Sequence, residues 1–135
     1  MVVGNANYSM IHDVLAYEAK STTGAPYYCA EATAGNAGGL VGKADNSTII
    51  DSYFYGRVMG ITAAGGIVGE SAATDVSDCA AGNSIEATTI ASGIVGKAGT
   101  ATKVARCYSR STLSATTVAG IIGQHQGDSE SSVSN

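Results

Sequence analysis

The sequence predicts an all-β chain wound as a parallel β-solenoid (β-helix) of about four to five 27-residue coils, with roughly three short strands per coil. Three observations lead there. One tetrad returns in constant register as Gly39-Leu40-Val41-Gly42, Gly66-Ile67-Val68-Gly69, Gly93-Ile94-Val95-Gly96 and Gly120-Ile121-Ile122-Gly123. The segments between glycines run about 5–7 residues, too short for stable helices, and are rich in the Ile, Val, Thr and Tyr that favour strands. A unit this short buries no apolar face alone, so each repeat must stack on its neighbours. Right-handed winding follows the usual crossover chirality.

Taken in order, residues 1–38 read as a degenerate first repeat of a single solenoid domain spanning 1–135. Val2-Val3-Gly4 resembles the end of a tetrad, Asp13 matches Asp51 and Ala30 matches Val58. Gly4 and Gly42 lie 38 apart, which leaves about 11 extra residues, placed near 16–26 by the loop signals Ser21, Thr22, Thr23, Gly24 and Pro26. Residues 39–65, 66–92 and 93–119 are regular repeats. Each carries a second element, Asp51-Ser52-Tyr53, Asp78-Cys79-Ala80 or Arg106-Cys107-Tyr108, and then an apolar anchor at Val58, Ile85 or Leu113. The last of these gains one residue before Cys107 and loses one after Leu113. Residues 120–135 form a partial repeat that ends in a polar tail.

Stacking turns sequence columns into ladders, with successive coils about 4.8 Å apart. Lys43, Glu70 and Lys97 share one column, where alternating charge sets the register. Thr62, Thr89 and Thr116 form a hydroxyl column. Leu40, Ile67, Ile94 and Ile121 form the clearest core column, which leaves Val41, Val68 and Val95 outward or at a corner. The tetrad glycines are expected to permit close coil packing or positive φ at corners.

These residues resemble the GLUG motif family. The resemblance rests on the four tetrads, the spaced Cys107-Tyr108 element and the following anchor. It implies a β-solenoid in a bacterial surface or secreted, adhesin-like protein and no catalytic residue. Two departures stand out: the insertion in the first repeat, and Ala80 where Tyr is usual.

Composition removes several function classes. Hydrophobic content of 44% argues against disorder, and no apolar run reaches the roughly 18 residues of a membrane span. A net charge of −4 with seven Lys and Arg argues against nucleic acid. Cys29, Cys79 and Cys107 include no Cys-x-x-Cys pair, so no zinc site is expected and no cofactor is called for. Cys79 and Cys107 share a column and read as stacked buried thiols, because parallel side-chain vectors fit a disulfide poorly. His12 and His125 read as solvated.

Asp13, Asp51 and Asp78 align, followed by Arg106; the column reads as an outward polar ladder with Arg106 pairing Asp78, ahead of Ca²⁺ binding or acid–base chemistry. Tyr53, Phe54, Tyr55 and Tyr108 form the densest aromatic patch, suited to a sugar or a protein, and Tyr27 and Tyr28 end the insertion.

The expected function is therefore a non-catalytic stalk, spacer or adhesin-like rod on the cell surface or outside the cell. Its partners would be flanking domains of a longer chain, a glycan or a protein. The alternative is a filament subunit stacking head-to-tail on copies of itself through open strand edges. A polysaccharide-acting enzyme is the remote reading, since such enzymes need longer loops and more coils.

Overall fold

A computed structural model describes residues 1–17, 29–126 and 132–134. The chain is an all-β solenoid, and every strand pair among the described residues is parallel. Its first coil holds β1 (Val3–Asn7), β2 (Met10–His12), β3 (Leu15–Tyr17), β4 (Cys29–Glu31) and β5 (Asn36–Gly38). The second holds β6 (Val41–Asp45), β7 (Thr48–Ile50), β8 (Tyr53–Tyr55), β9 (Arg57–Gly60) and β10 (Ala63–Gly65). The third holds β11 (Val68–Ala72), β12 (Asp75–Ser77), β13 (Ala80–Ala87) and β14 (Ile90–Ser92). The fourth holds β15 (Val95–Ala98), β16 (Lys103–Ala105), β17 (Tyr108–Ser114) and β18 (Thr117–Ala119), and β19 (Ile122–His125) and β20 (Ser132–Ser134) follow.

Each coil therefore has four sides, where the glycine-bounded segments suggested about three strands. The tetrad side stacks β1-β6-β11-β15-β19, the second β2-β7-β12-β16-β20 and the fourth β5-β10-β14-β18. The third is the longest: β8 and β9 pair with the two ends of the single strand β13, which pairs along its length with β17. The missing signal was this break, since Gly56 divides in one coil a strand that is continuous in the next.

Register follows the repeat. Val41, Val68, Val95 and Ile122 are successive partners. The extra residue of the fourth coil lies within 99–102, because Ala98 pairs Ser71 while Lys103 pairs Asp75. The compensating loss lies between Ser114, which pairs Glu86, and Thr117, which pairs Ile90. In the first coil the offset to the second is 38 at Tyr17–Tyr55, 28 at Cys29–Arg57 and 27 at Asn36–Ala63. Ten of the eleven extra residues thus fall between Tyr17 and Cys29, and one falls between Glu31 and Asn36. Ser21 to Pro26, Tyr27 and Tyr28 lie outside the described residues.

The core contains both apolar residues of the tetrad. Leu40, Ile67 and Ile94 are fully buried, and so are Val41, Val68 and Val95, which corrects the outward placement of the valine column. The chain bends at Gly39-Leu40, so strict alternation begins only after Val41. From there Gly42 and Ala44 are buried while Lys43 is exposed.

The second tetrad glycine faces inward, where the tetrad side meets the fourth side. A Cβ on Gly69 would stand 2.6 Å from the Gly42 carbonyl oxygen and 2.7 Å from the Ala37 carbonyl carbon. Only Gly against Ala fits there, which accounts for the Ala37, Ala64 and Ala91 column on the fourth side. Ile49, Val76 and Val104 on the second side and Val58 and Ile85 on the third fill the wider part of the cross-section. Burying each such side chain contributes about 1.5–3 kcal/mol.

Positive φ at the corners is carried by residues other than the tetrad glycines. One corner column is Tyr8, Asn46, Ala73 and Ala101, with φ of 45–54°, and the other is Asp13, Asp51, Asp78 and Arg106, with φ of 49–55°. Asn and Asp tolerate this conformation because their short polar side chains bond locally. The residue after each of these, Val14 after Asp13 excepted, turns inward with a small hydrogen-bond donor. Ser47, Ser52, Thr74, Cys79 and Cys107 each donate to the carbonyl two residues earlier. The corner thus satisfies a backbone acceptor that the strands cannot reach.

Candidate binding face

The third side presents two outward columns beside the second corner. Leu15, Tyr53, Ala80 and Tyr108 are partners in the first; Tyr17, Tyr55, Gly82 and Arg110 are partners in the second. The residues between them, Ala16, Phe54, Ala81 and Ser109, alternate inward. Phe54 is 7% exposed and belongs to the core, so it is withdrawn from the expected aromatic surface. Tyr53 is 37% and Tyr108 51% exposed. Leu15 and Tyr17 extend the same face into the first coil, at the same offset of 38 that matches Asp13 to Asp51; Ala16 and Tyr17 thus belong to a strand and the insertion begins after them.

Coil three is what leaves room for the rings. Ala80 stands between Tyr53 and Tyr108, and Gly82 between Tyr55 and Arg110. A Cβ on Gly82 would meet the edge of the Tyr55 ring at 2.7 Å, so the ring occupies the space that a side chain at 82 would take. Across the gap the Tyr55 and Tyr108 hydroxyls are 3.4 Å apart. This contact with Tyr108 and partial desolvation raise the Tyr55 pKa above its ordinary value. The departure at Ala80 leaves a small, buried residue between Tyr53 and Tyr108 in the first column.

The corner supplies the polar edge. Arg106 donates two hydrogen bonds to Asp78, from Nε at 2.7 Å and from a terminal nitrogen at 2.5 Å. The guanidinium hydrogen bonds hold the Asp78 carboxyl below the usual carboxylate range, and Asp78 in turn raises Arg106. Asp13 instead meets His12 Nδ1 at 2.9 Å and Asp51 is exposed, so the aligned aspartates behave as separate surface groups. Among the described residues no three His, Cys, Asp or Glu side chains converge on a point that could hold a metal ion. Asp51, Asp78, Cys79, Arg106, Tyr53 and Tyr108 line one shallow groove.

The remaining sequence-predicted positions lie away from this face. Lys43, Glu70 and Lys97 are register partners on the tetrad side. Lys43 Nζ is 3.9 Å from Glu70 and 3.5 Å from Asp45, and Glu70 also accepts a hydrogen bond from Asn36. Thr62, Thr89 and Thr116 are exposed at the turn into the fourth side. Cys79 is buried and Cys107 half-buried, both as free thiols. His125 is exposed.

Fold and face together define a parallel β-solenoid repeat protein. The sequence profile of the GLUG motif matches residues 33–59, which run from the end of the first coil through the tetrad, the first corner, Tyr53 and the Val58 anchor. The same tetrad and corner recur in the coils that follow. No curated protein and no solved structure matches the chain. No helix among the described residues is long and apolar enough to cross a membrane.

Proposed function

We propose that this chain is a non-catalytic structural module of a bacterial surface or secreted protein, a rod that spaces or displays other domains and offers its third side to a glycan or protein. The observation that carries this reading is the uninterrupted core. Leu40, Ile67 and Ile94 stack with no loss of burial from coil to coil, and one lateral face departs from the repeat to gather tyrosines. The GLUG resemblance supports the surface or secreted setting. The groove beside the tyrosines is shallow, and its guanidinium and one of its carboxylates are already paired. Small-angle scattering should show a particle that lengthens by about 4.8 Å along one axis for each regular repeat duplicated in the chain, and immobilised protein should retain ligand from a panel of glycans and purified surface proteins. No lengthening on duplication would overturn the rod. Retention of no ligand at all would leave only the spacer role.

Head-to-tail assembly is a second reading, favoured by a specific observation. Met1, Val2, Met10 and Leu15 are exposed in the first coil, and Val118 and Val133 are exposed at the opposite end. Opposing this, β19 and β20 extend two sides while β17 and β18 remain the last described strands of the others, so a second copy would meet a step. Sedimentation over a concentration series distinguishes a filament from a monomer.

A further inference from the structure

We infer that the third side binds an extended, uncharged β-1,4-linked polysaccharide lying along the rod axis, with Tyr53 and Tyr108 as stacking platforms. This rests on the reading of the chain as a ligand-presenting rod and names the ligand class. Tyr53 and Tyr108 occupy one outward column, separated by the single residue Ala80. Two coils at the ~4.8 Å strand spacing place the two rings roughly 10 Å apart. In an extended β-1,4-linked chain each sugar is turned over relative to the next, so sugars presenting the same face recur every second residue, at a spacing close to that of two coils. A curved α-1,4-linked chain does not keep such a line.

Three further features fit a sugar. The edge of the Tyr55 ring fills the space over Gly82, beside the two platforms, which keeps the strip between them aromatic. The Asp51, Asp78 and Arg106 edge runs parallel to the rings in the same groove, offering planar acceptors and donors to the hydroxyls at the rim of a stacked sugar. Charge on this face does not favour an acidic polymer: Arg106 is matched by Asp78, the exposed Arg110 is countered by Asp51, and the whole chain carries −4, which repels a polyanion. A neutral ligand pays no such penalty, and aromatic faces with one polar handle suit a partner that is apolar on its C–H face and wet at its edge.

The test is titration of the full chain with cellohexaose and chitohexaose, beside maltohexaose and polygalacturonate, for the wild type and for Tyr53→Ala, Tyr108→Ala and Tyr108→Phe. At least one β-1,4-linked hexamer should bind, at least tenfold more tightly than maltohexaose or polygalacturonate. Tyr108→Ala and Tyr53→Ala should each weaken it at least tenfold while the chain still melts cooperatively, with only a modest drop in melting temperature from the part of each ring that packs on the coil. Tyr108→Phe, which keeps the platform, should retain most of the affinity. Binding that survives both alanine variants would overturn the assignment to this face. Equal affinity for maltohexaose would overturn the spacing argument, and preference for polygalacturonate the charge argument. No binding by a chain that lengthens on repeat duplication would overturn the glycan inference and leave the rod standing; no lengthening on duplication would remove the rod itself.

Discussion

Coil three and the end of the stack, from the third side of coil four onward, carry nearly the same motif, yet the same residue contributes differently in each. Ile67 and Val68, at the head of the third coil, are sealed between neighbours; Ile121 and Ile122, two repeats later, are half-buried. Along the third side, Ile85 is buried and its partner Leu113 half-buried, and at the corner Cys79 is buried and Cys107 half-buried. A solenoid residue derives its burial from the coils on both sides of it, so position in the stack counts as much as identity. The sharpest way to break the comparison is truncation at matched positions. Ile67→Ala should destabilise by about 4 kcal/mol, within the range for removing a sealed aliphatic side chain, whereas Ile121→Ala should cost roughly half of that or less. Denaturant titration of the two variants checks it. Equal losses would mean that the stack does not set the cost.

The glycine column gives the next largest effect. Gly69→Ala pushes a Cβ onto the backbone of Gly42 and Ala37 and should cost about 1–3 kcal/mol, the usual penalty of overpacking. Gly4 occupies the same tetrad position at the outer edge of the first coil, and a Cβ there meets nothing within 4 Å. Gly4→Ala should therefore stay within about 0.5 kcal/mol of the parent, helped slightly by a less flexible unfolded chain. Thermal melts of the two variants, side by side, measure the contrast.

The thiols divide in the same way. Cys107 beside it and burial raise the Cys79 thiol above its ordinary pKa, while the hydrogen bond with Cys79 lowers Cys107, so the pair releases its first proton from Cys107. In the native protein Cys107 should be alkylated well before Cys79, as peptide mapping after timed exposure to iodoacetamide would record. The sign of the stability effect follows from Cys79. Its folded pKa lies above its unfolded one, so the stabilisation is complete below the ordinary thiol pKa of about 8.5 and is lost as pH rises beyond it, because only the unfolded chain gives up that proton. Cys79→Ser, which installs the residue that serves the same corner at Ser52, should remove this alkaline loss. A mutant that keeps the same alkaline slope would assign it elsewhere.

Periodicity carried the fold, and the departures from periodicity carried the candidate site. The 27-residue spacing was enough to place Leu40, Ile67 and Ile94 in one column and to put Lys43, Glu70 and Lys97 in register, because parallel in-register stacking leaves no freedom to slip once one column is apolar. Side number was harder to read, since a strand broken at Gly56 is intact in β13. Val41 was misplaced because alternation fails across a bend. The corners had a readable signal that glycine obscured: Asn46-Ser47, Asp51-Ser52 and Asp78-Cys79 pair a residue tolerant of positive φ with a small inward donor. Phe54 sits between two outward tyrosines, and strand alternation alone was sufficient to send it inward. Leu15 was legible from the match of Asp13 to Asp51, which sets it opposite Tyr53, whereas Tyr17 was lost because the insertion was placed from residue 16 when the strand runs on to Tyr17.

The first corner column offers the smallest effect and tests whether conformation, apart from packing, differs between coils. Asn46 in the second coil and Ala73 in the third hold nearly the same positive φ, 47° and 45°. Ala gains no local hydrogen bond there and carries the steric cost of its Cβ, about 1–2 kcal/mol in this region. Ala73 is exposed, so replacing it loses no packing. Ala73→Gly relieves the steric cost and returns about 0.4–1 kcal/mol of it through a more flexible unfolded chain. The net expectation is a gain of roughly 0.5–1 kcal/mol. Ala73→Asn, copying the second coil, should gain about as much without the added flexibility. If both variants melt at the parent temperature, the positive φ at this corner carries no strain, and the preference for Asn at position 46 belongs to its side chain alone.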